Sequence, residues 1–71
     1  MSSPEVNPLD SRLLERNYDY AQKNVRILAM WYECDIGRML ELLAEHNIEL
    51  SRNDRLQFGE NYQLAQQRLH G

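Results

Sequence analysis

The sequence predicts an all-α fold, a small three-helix domain preceded by a flexible N-terminal arm. Three observations predict it. Apolar residues recur at alternating steps of four and three over most of the chain, the spacing of one helix face. No segment alternates apolar and polar residues as a half-buried strand does. With 71 residues, the chain is at most one domain.

The arm comes first. Residues 1–9 hold both prolines, Pro4 and Pro8, which exclude a continuous helix and favour extended backbone before each. Such a segment can order on a partner, with Val6 and Leu9 as its apolar anchors. The helical domain is then residues 10–71. A helix over 11–33 begins at Asp10 or Ser11, whose side chains can accept from free amides of the first turn. Its apolar beat is Leu14, Tyr18, Ala21, Val25, Leu28 and Tyr32. The beat continues through Ile36, Met39 or Leu40, and Leu43, as if residues 11–46 were one helix. That helix would be about 54 Å long, and half its stripe would lack a partner within the chain. Asp35 offers a cap and Gly37 a weak point, which places a break near Cys34–Asp35.

A second helix over 36–46 ends at Asn47, since Asn tolerates the left-handed conformation that often follows a helix. Ile48 and Leu50 then fold back on the core. Ser51 and Asp54 form an S-x-x-D pattern that resembles a capping box, opening a third helix over 52–69. Its apolar face is Phe58, Tyr62, Ala65 and Leu69. Gly59 lies inside it, at a cost of about 1 kcal/mol, and is the expected point of close packing.

Composition excludes several function classes. One cysteine, Cys34, allows no internal disulfide and suits a reducing compartment. His46 and His70 lie too far from it in sequence for zinc-ligand spacing. No cofactor or metal is expected. The longest apolar run, residues 27–32, is far short of a membrane span. Residues 1–20 show no signal-peptide pattern. The chain therefore reads as a soluble cytoplasmic protein with no membrane partner. Catalysis finds no support: Cys34 and His46 lack a third orienting group, and little chain remains to build a pocket.

Charge is unevenly spread over a net −3. Glu33, Asp35, Glu41, Glu45 and Glu49 face only Arg38 across residues 33–49, a local −4. Residues 51–71 carry Arg52, Arg55 and Arg68 against Asp54 and Glu60, a local +1. Nucleic-acid affinity rests largely on neutralised phosphates, so this chain has at most a localised basic end for that purpose.

The most apolar stretch, "LAMWYECDI" at 28–36, holds Trp31 and Tyr32. Neighbours on a helix point about 100° apart. Tyr32 follows the apolar beat, whereas Trp31 aligns with Ile27 and Tyr20. This second stripe of Tyr20, Ile27, Met30 and Trp31 is more than two short helices readily cover, and Trp and Tyr are frequent hot spots. The expected function is protein binding: a regulator that docks on a larger intracellular machine and acts by occlusion or displacement. Its expected contact residues are Val6, Leu9, Tyr20, Ile27 and Trp31.

Two resemblances add to this. In size, acidity, helix content and arm, the chain resembles the small phage-encoded regulators that bind bacterial RNA polymerase. That implies polymerase subunits as the partner and inhibited transcription initiation, by competition with sigma factor or promoter DNA. The segment "DIGRMLELLAEHNIELSRNDRL" resembles part of a helix-turn-helix. It has Asn47 where that family usually has Gly, and its first helix is acidic. The second resemblance implies a DNA-binding transcription regulator that reads bases through Arg52, Asn53, Arg55 and Gln57. A third reading is a secretion-type chaperone or helical structural subunit, whose long apolar stripe pairs with partner helices.

Overall fold

Three helices of this protein end in the same way, and none of them uses glycine to do so. A computed structural model describes residues 6–70. Residues 1–5 and Gly71 lie outside it, and with them the expectation for the first half of the arm. The chain forms α1 (Ser11–Tyr20), α2 (Val25–Trp31), α3 (Ile36–Glu45) and α4 (Arg52–His70). The architecture is all-helical. α1 packs on α2, α2 on α3, and α3 on α4.

The helix expected over 11–33 is two helices, so the described residues form four where three are predicted. The reason lies in Gln22 and Lys23, which both adopt left-handed backbone (φ 59° and 51°). At the end of α1, Gln22 N donates to the Asp19 carbonyl at 3.0 Å and Lys23 N to the Tyr18 carbonyl at 2.8 Å. This crossed pair is the Schellman motif, which satisfies carbonyls that a helix end leaves open. The motif recurs after α2 at Glu33 (φ 53°) and after α3 at Asn47 (φ 57°). There Cys34 N reaches the Ala29 carbonyl at 3.0 Å and Ile48 N reaches the Leu43 carbonyl at 2.9 Å. Only Asn47 announces itself, because left-handed Gln or Glu is uncommon.

Each helix then restarts on a side chain. Asp10 accepts from Leu13 N at 3.0 Å, Asn24 from Arg26 N at 3.0 Å, and Asp35 from Arg38 N at 2.7 Å. The break expected at Cys34–Asp35 is present and is capped by Asp35, as the sequence suggests.

The apolar beat survives both breaks. Leu14, Tyr18, Ala21, Val25, Leu28, Met39, Leu40 and Leu43 are all buried, with Tyr32 and Ile36 packed at the margin. Ile48 and Leu50 fold onto this core, and Tyr62 and Ala65 close it from α4. Tyr62 donates its hydroxyl to the Ile48 carbonyl at 2.6 Å, pinning the 46–51 turn against α4. Phe58 is only half-buried, and Leu69, expected in the core, is 46% exposed. At about 1.5 Å per residue α4 is roughly 28 Å long, and its last turn extends beyond the packed residues. Gly59 is not a point of close packing. A Cβ there would meet only Arg55 Cγ, at an ordinary 3.6 Å.

One polar knot ties α1, α2 and α4 together. Asp54, 4% exposed, accepts through one oxygen from the Tyr18 hydroxyl at 2.6 Å and from Val25 N at 2.9 Å. Tyr18 in turn accepts from Ser51 N at 2.8 Å. Ser51 Oγ accepts from Asp54 N at 3.3 Å and donates to the Lys23 carbonyl at 2.7 Å. The capping box is therefore half formed. Asp54 turns away from Ser51 N and caps the first amide of α2 instead, while Tyr18 takes the place left open. Among the described residues no buried side-chain nitrogen or oxygen lacks a partner.

The Tyr18 hydroxyl is pushed up to about 12, first by burial and then by the bond it donates to Asp54, against the opposing bond from Ser51. A folded value above the ordinary 10.0 means stability that is whole below pH 10.0 and lost as pH rises towards 12. Denaturant melts across that window should show about 2–3 kcal/mol of alkaline destabilisation. The Tyr18→Phe variant should lack that component; an identical pH profile would contradict the bonding described. Gly59→Ala should stabilise the protein by about 0.5–1 kcal/mol, read from the same melts, because the site is helical and has room.

Candidate functional site

Two surfaces remain once the core and the polar knot are accounted for. The first is the outer face of α2. Within that helix Val25, Leu28 and Ala29 point inward. The helical step puts Ile27, Met30 and Trp31 together on the other side. Ile27 and Trp31 are half-buried and lean on the core, whereas Met30 is 74% exposed. The stripe read along one continuous helix is interrupted: Tyr20 belongs to the last turn of α1, beyond the left-handed elbow at 21–24, and is exposed there. Val6 and Leu9 precede α1, and Leu9 is almost fully exposed. The five expected contact residues thus lie on three segments, and only Ile27 and Trp31 share a face. Met30, the most exposed member of that face, belongs to the stripe read from the sequence but not to the expected contact set.

The described end of the arm is a turn. Asn7 Oδ1 accepts from Leu9 N at 3.0 Å, and Asp10 N donates to the Asn7 carbonyl at 3.1 Å. His46 Nε2 lies 2.8 Å from the Pro8 carbonyl, which ties this turn to the end of α3. His46 is therefore engaged with backbone. Cys34 packs at the core margin, where burial first and the charge of Asp35 second push its thiol up, with Arg38 opposing. A raised thiol is a poorer nucleophile at neutral pH.

The second surface is a cleft of about 440 Å³ between the 21–24 elbow and the first two turns of α4. Its walls carry Gln22, Lys23, Asn24 and Arg26 on one side and Asn53, Asp54 and Gln57 on the other. The Arg26 guanidinium sits over the Phe58 ring, 5.8 Å from its centroid, which holds it towards α4. Lys23 has a loose exposed contact with Asp19 at 3.8 Å. Of the four residues singled out for DNA contact, Asn53 and Gln57 line this cleft together. Arg55 lies on the opposite flank of α4, beside Glu49 and Glu60 in a separate groove. Arg52 is exposed at the helix start. Lys23 and Arg26 went unrecognised in the sequence. The signal for them was the polar triplet Gln22-Lys23-Asn24 inside an apolar beat, ending in a good N-cap residue.

The acidic residues of α3 occupy a different surface. Glu41 and Glu45 flank Arg38 on α3, at 3.5 and 4.0 Å, in exposed pairs of small energetic weight. Among the described residues, no three His, Cys, Asp or Glu side chains come together to hold a metal ion. No described helix is long and apolar enough to cross a membrane. No protein-family model matches the chain, and no curated protein or solved structure is significantly similar to it.

Proposed function

We propose that this protein is a small protein-binding regulator that docks on a larger intracellular machine and works by occlusion or displacement. The observation that carries this reading is the outer face of α2. The core closes without Met30, yet Met30 stands 74% exposed between Ile27 and Trp31. A flexible thioether beside a large aromatic ring is a common composition for an adaptable binding surface. Tyr20 and the Val6–Leu9 turn offer further apolar contacts at separate places, suited to a partner broad enough to reach several segments. The partner proposed first is a bacterial RNA polymerase subunit, after the overall resemblance to small phage-encoded regulators. Inhibition would then follow from competition with sigma factor or promoter DNA.

Affinity capture from bacterial lysate tests this, with tagged protein, with and without nuclease, and with Met30→Glu alongside. A stoichiometric protein partner should survive nuclease. Met30→Glu should weaken it about thirtyfold or more, since a charge at an interface centre removes at least a hot spot's worth of binding. The thermal melt of that variant should be unchanged, because the side chain is exposed. Capture that disappears with nuclease, or that ignores Met30→Glu, contradicts the reading.

A further inference from the structure

The groove that holds Arg55 shares no residue with the outer face of α2 or with the polar cleft. It spans about 510 Å³ between the turn at 49–50 and α4. Leu50 and Tyr62 form its floor, and Glu49 and Arg55 border it. Gly59 opens into it from the middle of α4. Apart from proline, glycine is the residue a helix interior favours least. Nothing within the chain requires it here, since the nearest atom to an added Cβ is Arg55 Cγ at 3.6 Å. The missing side chain leaves a notch that the chain itself does not fill.

A knob suited to that notch stands on the same helix. Leu56 is 79% exposed, three residues before Gly59. Arg52, Leu56, Gly59 and Gln63 follow at steps of four, three and four, so they share one stripe of α4. None of them is buried. Leu64 leaves this stripe and lines a different groove, beside Gly37 and Leu40 of α3. A knob and a notch one turn apart match a second helix of the same kind running antiparallel. A two-fold axis passing between residues 57 and 58 sets Leu56 of each copy level with Gly59 of the other. This is an isologous contact, in which each residue meets its complement twice.

The charges agree with that arrangement. A two-fold perpendicular to the helices keeps each flank of one α4 against the same flank of the other. Arg55 and Glu49 border the same groove, yet among the described residues neither forms an ion pair within the chain. Across the two-fold, Arg55 of one copy meets Glu49 of the other. Arg52 falls level with Gln63 of the second copy, and Glu60 on the other flank falls near its Asn53, both neutral amides. Arg52 and Arg55 balance Glu49 and Glu60, so the patch is neutral on a chain of net −3. Two copies can meet there without the self-repulsion that their net charge imposes elsewhere.

We infer that this protein forms an antiparallel homodimer through α4, with Leu56 of each copy seated in the Gly59 notch of the other and Arg55 paired with Glu49 across the two-fold. One helix face is a small interface, so the association is reversible, with a Kd in the range of about 1–100 μM.

Sedimentation equilibrium of the full chain, from about 5 μM to about 1 mM, brackets that Kd. The mass should rise from one chain towards two. Leu56→Glu and Gly59→Leu should each weaken dimerisation about thirtyfold or more, because every substitution removes two contacts per dimer. Both positions are open in the single chain, so circular-dichroism melts of these variants at low concentration should show no loss of stability. Arg55→Glu should weaken the dimer about tenfold, and Glu49→Arg added to it should restore the parent Kd. Met30→Glu should leave dimerisation unchanged, which separates this contact from the docking face of α2. The inference is overturned by a single-chain mass up to 1 mM, or by a dimer that persists in Leu56→Glu and Gly59→Leu. A dimer abolished by Met30→Glu would also overturn it and assign self-association to α2.

Discussion

The fold depends on a single buried carboxylate. Asp54 sits where α1, α2 and α4 meet, and one of its oxygens receives both the Tyr18 hydroxyl and the first amide of α2. A buried carboxyl group is strongly unfavourable unless its hydrogen bonds are made. Here they are made, and by two different elements. Tyr18 completes the circuit by accepting from Ser51, the residue that starts α4. α1 packs chiefly on α2, and α4 chiefly on α3. The knot is therefore the polar tie that fixes α1 against α4 across the core.

That tie also sets the surface. The elbow at 21–24 is held from both sides: its carbonyl at Lys23 accepts from Ser51, and Val25 just beyond it donates to Asp54. Lys23 and Arg26 are carried on this clamped segment, opposite Asn53 and Gln57 on α4. The polar cleft exists because the knot beneath it brings the two segments together. The apolar face of α2 is oriented by the same restraint, since the amide that starts that helix is one of the two donors to Asp54. One interior feature thus positions both candidate surfaces, and they remain chemically distinct.

The core was legible in the sequence to a high degree. The beat from Leu14 to Leu43 fell on buried residues, apart from Tyr32 and Ile36 at the margin, even where the helix it implied does not exist, and it passed over buried Leu13, Ala29, Leu42 and Ala44. The reason is geometric. The Schellman turn after α1 keeps Ala21 and Val25 on the core side, so the apolar spacing passes through the elbow undisturbed. The turn itself was invisible because its left-handed positions hold Gln22 and Lys23, whereas Asn47 marked the same motif after α3. The Ser51–Asp54 pattern was visible as a cap, but only the assembled fold shows Asp54 serving a different helix. Leu69 was misplaced because a regular spacing does not tell where the rest of the core ends. At the surface, residues 53 and 57 were found together, Arg55 was separated from them by helix geometry, and Lys23 and Arg26 could be placed only once the elbow was known.

The most direct test of this account is a double-mutant cycle on stability, with Tyr18→Phe, Asp54→Ala and the pair, measured by denaturant melts near neutral pH. If the knot holds the fold, the two substitutions share one interaction, and the pair should fall short of additivity by about 1 kcal/mol or more. Additivity within about 0.5 kcal/mol would mean that Tyr18 and Asp54 act independently. The central role given to the knot would then be contradicted.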